Sequence, residues 1–371
     1  MEKVKLGDVA TYINGYAFKP TDWSNEGVLI IRIQDLTGNS YQANRYNGNY
    51  EKKYEIQKGD VLISWSASLG VYVWQGETAV LNQHIFKVLF DKVEIDKNFF
   101  VHQVECILKN ASSEAHGATM KHLTKPVFDA LPFYLPSLEE QKAIAERLDK
   151  VSGLIEKRKT QLEKLDLLIK SRFIEIMESA ELSDELTVEQ ITERVKVGFV
   201  GTCEKYYTDE TGIPMLRTGN ITDCGIDMRD LKYVTADFHK KNKKSQIRKG
   251  DLLIARHGSN GQANVYDGPE AQCLNAVVVV PNQSVARSMF LAGLINSSAV
   301  KRQIDKTLVG STQHVVNTKS IANLIVRIPD LEVQKQYENF VEQTDKSKFE
   351  IQKSLEKLEI LKKSLMQQYF G

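Results

Sequence analysis

Histidines and cysteines are the side chains most able to bind a metal or act as a nucleophile, and here they are scattered. The 371-residue chain has seven histidines, none at a metal-ligand spacing; even His116 and His122 stand six residues apart in a loop-like segment. The cysteines form no C-x-x-C pair, which favours reduced and mostly buried thiols. They are Cys106, Cys203, Cys224 and Cys273.

Motifs that handle phosphates, dinucleotides or acyl groups are also missing. The sequence contains no G-x-x-x-x-G-K-[ST], no G-x-G-x-x-G, no H-E-x-x-H and no G-x-S-x-G. It also lacks the Asn/Asp-Pro-Pro-aromatic element of amino-methyltransferases. Carboxylates are abundant but fall mostly on predicted helix faces, where solvation accounts for them. We therefore expect no catalytic centre, no metal and no cofactor.

One basic segment stands out from a nearly neutral chain of net charge +1. Between positions 240 and 249 six cations occur with no acid among them, which fits either a solvated surface loop or a phosphate-binding surface. These are Lys240, Lys241, Lys243, Lys244, Arg248 and Lys249.

The bulk composition is that of an ordinary globular protein, with 42% hydrophobic and 26% charged residues. The length predicts two or three domains. The N-terminal residues carry no apolar signal region, and the longest apolar runs are 28–31 and 276–280, too short to span a bilayer. A cytoplasmic location is expected.

An internal repeat organises the whole sequence. At an offset of 193 residues, Gly117 to Thr119 recurs as Gly310 to Thr312, and a Pro-x-Leu-Glu-x-Gln-Lys block starting at Pro136 recurs from Pro329. A Lys-Gly-Asp block at 58–60 recurs at 249–251, with Gly59, Asp60, Gly250 and Asp251 expected to form turns. Because the repeat is long and has two members, it indicates a duplicated domain.

Each half ends in a predicted helix of roughly 38 residues, the first over 139–177, with N-caps at Ser137 and Asp330 and a capping box to Glu140. Steps of four and three define a heptad seam in each helix. The apolar seam residues are Ile144, Leu148, Val151, Ile155, Leu162, Leu165, Ile169, Val341, Ile351, Leu355, Leu358 and Leu365.

A single amphipathic helix of that length cannot bury its seam alone. The two helices are expected to pair antiparallel with pseudo-two-fold symmetry; the alternative is that each pairs with another chain. Polar seam positions either fix the register or mark where a partner docks, or extend to solvent at the seam edge. They are Arg158, Arg172, Lys348 and Lys362.

The segments preceding each helix predict an α+β fold with a curved or barrel-like mixed sheet. Short β-like runs are separated by turn residues. They cover 28–33, 60–64, 71–74, 84–89, 251–255, 276–280 and 324–328. Short helices are expected at 6–13, 99–108, 188–193 and 289–295.

Taken in order, the duplicated Lys-Gly-Asp, Gly-Ala/Ser-Thr and Pro-x-Leu-Glu-x-Gln-Lys blocks, with the ending Leu365 to Gly371, resemble the specificity subunits of type I restriction-modification systems. The resemblance covers essentially the whole chain. It implies two target-recognition domains, 1–136 and 179–329, each followed by a spacer helix, 137–178 and 330–371.

The resemblance also implies a function. Each domain would read one half of a bipartite, asymmetric site in double-stranded DNA, and the helices would set the spacing and bind two methyltransferase subunits. Restriction and translocation subunits would join through these, so adenine methylation and cleavage would belong to partners. Two alternatives remain: an enzyme with a degenerate nuclease or methyltransferase motif, and a scaffold that uses its helices without touching DNA.

Base-reading residues are expected among polar side chains in loops flanking strands, because arginine suits guanine and asparagine or glutamine suits adenine. Each could equally make a hydrogen bond that supports the fold. In the first half they are Arg32, Gln34, Trp65, Ser66, Ser68, Asn82, Gln83, His84, Lys121 and His122. In the second they are Arg217, Asn220, Arg256, His257, Ser259, Asn260, Asn275, Gln313 and His314, with Lys240, Lys241, Lys243 and Lys244 for phosphates.

Overall fold

The computed structural model describes residues 2–114, 124–222, 225–256, 261–308 and 315–371. The chain forms two compact units. Unit 1 comprises Met1–Lys159 and Lys353–Gly371, and unit 2 comprises Thr160–Gln352. Each long helix therefore contributes one part to unit 1 and the other part to unit 2.

Unit 1 consists of short strands and helices in front of the first long helix. Its strands are β1 (Glu2–Lys5), β2 (Thr11–Asn14), β3 (Val28–Ile31), β4 (Asn44–Tyr46), β5 (Glu55–Ile56), β6 (Val61–Ser64), β7 (Gly70–Val73), β8 (Ala79–Leu81), β9 (Ile85–Leu89) and β10 (Pro132–Leu135). Its helices are α1 (Leu6–Val9), α2 (Ile33–Leu36), α3 (Lys97–Glu114), α4 (Lys125–Asp129) and the first part of α5 (Leu138–Ser179).

Unit 2 repeats this plan. Its strands are β11 (Leu186–Thr187), β12 (Thr192–Val197), β13 (Tyr207–Thr208), β14 (Ile213–Leu216), β15 (Ile221–Thr222), β16 (Gly225–Ile226), β17 (Lys232–Val234), β18 (Gln246–Ile247), β19 (Leu252–Ala255), β20 (Ala263–Val265), β21 (Ala271–Cys273), β22 (Ala276–Pro281) and β23 (Ile325–Val326). Its helices are α6 (Ala236–Lys241), α7 (Ser288–Asn296), α8 (Ser298–Leu308), α9 (Thr318–Ala322) and the first part of α10 (Leu331–Phe370).

Sheet topology confirms the duplication. The sheet ordered β2-β9-β6-β7 in unit 1 has the counterpart β12-β22-β19-β20 in unit 2. The sheet β4-β3-β8-β5 corresponds to β13-β17-β14-β21-β18, with a parallel central pair in both, and β1-β10 corresponds to β11-β23. Within the described residues these sheets are open, so the mixed-sheet form of the predicted α+β fold is the one found.

Two predicted helices are wrong in their extent. The helix predicted over 6–13 ends at Val9, and Thr11 to Asn14 pair instead with β9. The helix predicted over 188–193 is only a 3₁₀ turn, Glu189–Ile191, before β12 begins at Thr192. In both places β-branched and aromatic residues fit a pleated sheet, and pairing with a neighbouring strand overrides the local pattern.

The long helices begin where the repeat predicts. The Ser137 hydroxyl accepts from the Glu140 amide at 3.4 Å, and the Ser137 amide donates to the Glu140 carboxylate at 3.1 Å, which completes the capping box. At the second helix, the Asp330 carboxylate accepts from the Val333 amide at 2.9 Å. Both N-caps are thus confirmed.

The seam pairs the two helices with each other, antiparallel, inside each unit. In unit 1, Arg147 near the start of α5 donates to the Tyr369 hydroxyl near the end of α10 at 3.0 Å. In unit 2 the Phe173 and Tyr337 rings lie 5.5 Å apart, and Lys348 lies 2.8 Å from the Asp166 carboxylate. All twelve predicted apolar seam residues are buried or half-buried.

A buried glutamine explains the repeated Gln of the Pro-x-Leu-Glu-x-Gln-Lys block. Gln141 donates to the Pro136 carbonyl at 2.9 Å and accepts from the Asp96 amide, just before α3, at 2.8 Å. In unit 2, Gln334 donates to the Pro329 carbonyl and accepts from the Arg287 amide, just before α7. Each glutamine therefore fixes the start of a long helix against the preceding helix.

The Lys-Gly-Asp blocks form the predicted turns. Gly59 and Gly250 share a φ of +94°, in the left-handed region that favours glycine. The Asp60 carboxylate accepts from the Gln57 amide at 2.8 Å, and the Asp251 carboxylate accepts from the Arg248 amide at 2.9 Å. These residues shape the backbone that leads into β6 and β19.

Candidate nucleic-acid interface

In unit 1, a loop cluster lies where the β6–β7 hairpin meets the segment before β9. Trp65 donates its backbone amide to the His84 carbonyl at 3.2 Å, and the two rings lie 4.8 Å apart, edge to face. The indole Nε1 donates to the Asn14 side chain at 3.1 Å, and the indole stacks on Phe86 at 5.7 Å. Trp65 and His84 are half-buried, so part of each faces solvent.

The segment before β9 is fixed by its backbone. Asn82 donates to the Ile31 carbonyl at 3.0 Å, and Gln83 donates to the Tyr16 carbonyl at 2.8 Å. A Cβ at Gly15 would lie 2.1 Å from the Asn82 carbonyl oxygen, so this close approach requires glycine. The side chains of Asn82, Gln83 and His84 therefore leave a rigid backbone.

The hairpin tip exposes a different set. Ala67 and Ser68 are exposed, whereas Ser66 is 5% exposed and belongs to the interior. The Ser64 hydroxyl donates to the Ser68 carbonyl at 2.5 Å and closes the turn. Of the two predicted serine readers, only Ser68 is presented at the surface.

Arg32 is mostly enclosed, with 17% of its side chain exposed. Its guanidinium lies 5.1 Å from the centre of the Trp23 ring and 3.9 Å from the Asp35 carboxylate. The Asn44 amide, oriented with its oxygen towards the guanidinium, accepts from Nη1 at 3.2 Å. Gln34, in the following helix α2, is half-buried.

Unit 2 carries a polar pair at the position of Trp65 and His84. Arg256 Nη1 donates to the Asn275 side-chain oxygen at 2.9 Å, and Nε donates to the Val316 carbonyl at 3.3 Å. The Asn275 amide donates to the Phe199 carbonyl at 2.9 Å. A Cβ at Gly198 would lie 2.4 Å from the Cys273 carbonyl oxygen, the same close approach as at Gly15.

Arg217 and Asn220 mainly support their own loop. Arg217 Nη2 donates to the Asp230 carbonyl at 3.0 Å and its carboxylate at 3.1 Å. The Asn220 amide donates to the carbonyls of Asp227 and Asp230 and accepts from the Arg217 amide at 2.9 Å. At 5% exposure, Asn220 is a buried bridge.

All six cations of the basic segment are exposed, whereas Phe238, Ser245 and Ile247 within the same stretch are buried. The apolar positions therefore point inward and the lysines outward. Arg248 lies 3.3 Å from Glu270. The segment is a built cationic surface on α6 and the following 3₁₀ turn.

Seven predicted readers lie outside the described residues. They are Lys121, His122, His257, Ser259, Asn260, Gln313 and His314.

Sequence reasoning missed one repeated feature of the helices. Leu167 and Leu168 are 60% and 47% exposed in unit 2, and Ile360 and Leu361 are 69% and 45% exposed in unit 1. The two pairs stand at the same offset of 193 residues as the helix blocks. That offset was the signal that could have identified them.

Among the residues described here, no helix is long and apolar enough to cross a membrane. Nor do the described parts bring three or more His, Cys, Asp or Glu residues together in a way that could hold a metal ion. Cys106 is half-buried and Cys203 and Cys273 are buried, all three as free thiols, while Cys224 lies outside the described residues. Burial raises the pKa of the Cys273 thiol to about 12.

The fold and its loops define a duplicated α+β protein in which two equivalent scaffolds present different side chains at matching positions. A family model described as the type I restriction modification DNA specificity domain matches residues 1–165 and 189–362. The chain belongs to this family.

Curated relatives agree in length and order. The EcoBI specificity subunit of a type I restriction enzyme from Escherichia coli is 25% identical, over 92% of this chain and 78% of the relative. The MjaVIII specificity subunit from Methanocaldococcus jannaschii is 22% identical, over 96% of this chain and 90% of the relative.

Solved structures share the fold. A crystal structure of the type I restriction-modification S subunit from M. genitalium superposes with a TM-score of 0.60 at 15% identity, covering 100% of this chain and 96% of that one. A structure from work on assembly and conformational transition of the type I system gives a TM-score of 0.56 at 16% identity, covering 100% and 97%.

Proposed function

We propose that this chain is the subunit that gives a type I restriction-modification complex its DNA sequence specificity, with each unit reading one half of a bipartite site. One observation carries the proposal: two scaffolds of the same topology present different side chains at matching loop positions. Because half-site geometry mirrors protein geometry, two diverged heads require two different half-sites.

We infer that target recognition resides in residues 1–136 and 179–329, with residues 137–178 and 330–371 as spacers. The residues best placed to read bases are half-buried or exposed side chains on fixed backbone. They are Gln34, Trp65, Ser68, Asn82, Gln83 and His84 in unit 1 and Arg256 and Asn275 in unit 2. Lys240, Lys241, Lys243 and Lys244 would bind phosphates and make affinity fall steeply with salt. The residues outside the described ranges remain candidates.

Arg32, Ser66, Arg217 and Asn220 support the reading loops in this proposal rather than contacting bases. Each is buried or bound to neighbouring groups of its own unit, and a buried polar group is expected to be satisfied internally. Loss of one would loosen a whole loop instead of altering one base preference.

Adenine methylation and DNA cleavage would be carried out by partners in a cytoplasmic complex. The exposed apolar pairs Leu167–Leu168 and Ile360–Leu361 are the proposed docking points for two methyltransferase subunits, one pair in each unit. Their repeat relationship supports two equivalent partners, since equivalent patches bind the same surface twice.

Methylome sequencing of a strain with and without this gene tests the specificity proposal. We expect one bipartite, adenine-methylated motif to disappear with the gene. Replacing residues 186–329 by the corresponding segment of a relative should change one half of the motif and leave the other. A motif that is unaffected by deletion, or that changes in both halves, would contradict the proposal.

Native mass spectrometry of the purified complex tests the docking points. Leu167→Ser with Leu168→Ser, or Ile360→Ser with Leu361→Ser, should each remove one methyltransferase subunit. Leu154→Ser is the matched control, because Leu154 is 44% exposed but its repeat counterpart is Ser347. Unchanged stoichiometry in both double variants would place the docking surface elsewhere.

A further inference from the structure

Three non-glycine residues in the described part of the chain have a left-handed backbone, and all belong to matching loop clusters. Ala67 and His84 have φ of 58° and 74° in unit 1, and Asn275 has φ of 52° in unit 2. His84 and Asn275 are repeat counterparts at an offset of 191 residues. Such backbone costs about 1–3 kcal/mol, and it persists chiefly where function requires a fixed side-chain position.

The contact partners of these residues are counterparts too. Trp65 and Arg256 stand at the same offset of 191. In unit 1 the pair is Trp65 over His84, with ring centres 4.8 Å apart, and in unit 2 it is Arg256 bound to Asn275 at 2.9 Å. Position, partner and backbone conformation are kept, while the chemistry changes from aromatic to polar.

Framework contacts behave in the opposite way. Gln141 and Gln334 keep their residue type and their bonds, and so do Asp60 and Asp251. A pair that only supported the fold would be expected to keep its chemistry likewise. Change confined to the side chains, on a kept and strained backbone, is the pattern expected of a reading position.

We propose that these two pairs are the matching base-reading elements of the two units, with Arg256–Asn275 reading a G·C pair and Trp65–His84 contacting the methyl edge of a T·A pair. The inference rests on the proposed function and specifies its site. A guanidinium has five N–H donors, and the contacts to Asn275 and Val316 use two of them while orienting its plane. An oriented guanidinium suits the O6 and N7 acceptors of guanine.

The aromatic pair has the complementary chemistry. Trp65 has its indole N–H bonded to Asn14, so the surface it shares with His84 is largely carbon. Apolar side-chain surface recognises the C5-methyl group of thymine in the major groove. The exposed hairpin tip at Ala67 and Ser68 lies beside the pair and leaves it accessible to a duplex.

Reciprocal exchange of the two left-handed residues tests the inference. His84→Asn and Asn275→His each install a residue that the other unit already carries in this conformation, so the backbone tolerates both. Each variant, with its methyltransferase subunits, is assayed by methylome sequencing. Asn323→His, at an exposed position in α9's C-cap, is the matched control.

We expect His84→Asn to relax one base pair of one half-site and Asn275→His to relax one base pair of the other. Arg256→Lys should relax the same position as Asn275→His, and that position should be G·C in the wild-type motif. Discrimination there should fall about 5- to 150-fold. The unaltered half of the motif reports in each case that the complex is assembled and active.

Unchanged motifs in all three variants would overturn the inference, and so would a change in the same half from both exchanges. Either result leaves the proposed function intact, because the wild-type bipartite motif is still present. Absence of any bipartite motif with the wild-type chain would instead overturn the proposed function itself.

Discussion

Units 1 and 2 solve one structural problem from opposite strands. In unit 1, Lys87 on β9 donates to the Glu55 carbonyl at 2.7 Å and lies 3.0 Å from the Asp60 carboxylate. In unit 2 the counterpart of Lys87 is Val278, and the lysine is Lys196 on the adjacent strand β12. There it donates to the carbonyl of Gln246, the counterpart of Glu55.

The exchange is exact in register. Ile13 on β2 is the partner of Lys87, and Lys196 on β12 is the partner of Val278. One cation per unit therefore reaches the same carbonyl from either strand of the same antiparallel pair. Divergence has moved the residue but kept the contact, which is how framework positions differ from the loop pairs, where the chemistry itself has changed.

The helices after the second sheet show a further difference. Unit 1 has one helix, α3, of 18 residues, whereas unit 2 has α7 and α8, of 9 and 11 residues, separated at Ser297. Both begin beside the buried glutamine of the long helix. The break is thus distant from the contact that the two units share.

The largest expected effect concerns this shared glutamine. Gln141→Ala and Gln334→Ala each leave a buried amide and a buried carbonyl without their partner, which should lower the free energy of unfolding by about 2–4 kcal/mol. Urea denaturation of the full chain measures both. The exposed Gln367→Ala is the control, and a small cost in only one unit would break the equivalence.

A double-mutant cycle sharpens the lysine comparison. Lys87→Ile removes the partner of Glu55 and Asp60, and Ile13→Lys supplies one from the strand that unit 2 uses. We expect the double variant to be more stable than the sum of the single effects by about 1 kcal/mol. Additive effects in chemical denaturation would show that the strand exchange is not a compensated one.

The N-caps should have smaller and similar effects. Ser137→Ala and Asp330→Ala each remove a side-chain acceptor from the first turn of a long helix, at a cost of about 1 kcal/mol. Thermal unfolding followed by circular dichroism compares them. Ser137→Thr and Asp330→Asn retain an acceptor and should recover most of the loss; if they do not, capping is not the cause.

The smallest effect is a pH dependence specific to unit 2. Burial, followed by repulsion from Arg194, lowers the pKa of Lys196 to about 8. The unfolded chain, with a normal lysine pKa, then binds more protons than the folded chain between about pH 8 and 10.5, so this residue makes stability rise with pH across that window.

Lys196→Arg tests this directly, since arginine stays charged throughout. The difference in unfolding free energy between wild type and variant should grow in favour of wild type from pH 8 to 10.5. A difference that is flat with pH would mean that Lys196 is not held at a lowered pKa.

Much of the architecture was predictable from the repeat. The caps at Ser137 and Asp330, the seam from Ile144 to Leu365 and the turns at Gly59 and Gly250 follow from local signals of fixed period and chemistry. The helices predicted at 6–13 and 188–193 failed because strand pairing with distant residues decides those segments. No local pattern contains that pairing.

The sequence by itself determined the duplication, the two long helices and the turn residues, because these depend on periodicity and on residues close along the chain. Only the tertiary structure decided which polar side chains are available at the surface. Asn220 and Ser66 are as polar as Asn275 and Ser68, yet folding encloses the first two and presents the others. Burial depends on contacts between distant segments, and so does the pairing of Trp65 with His84 and of Arg256 with Asn275.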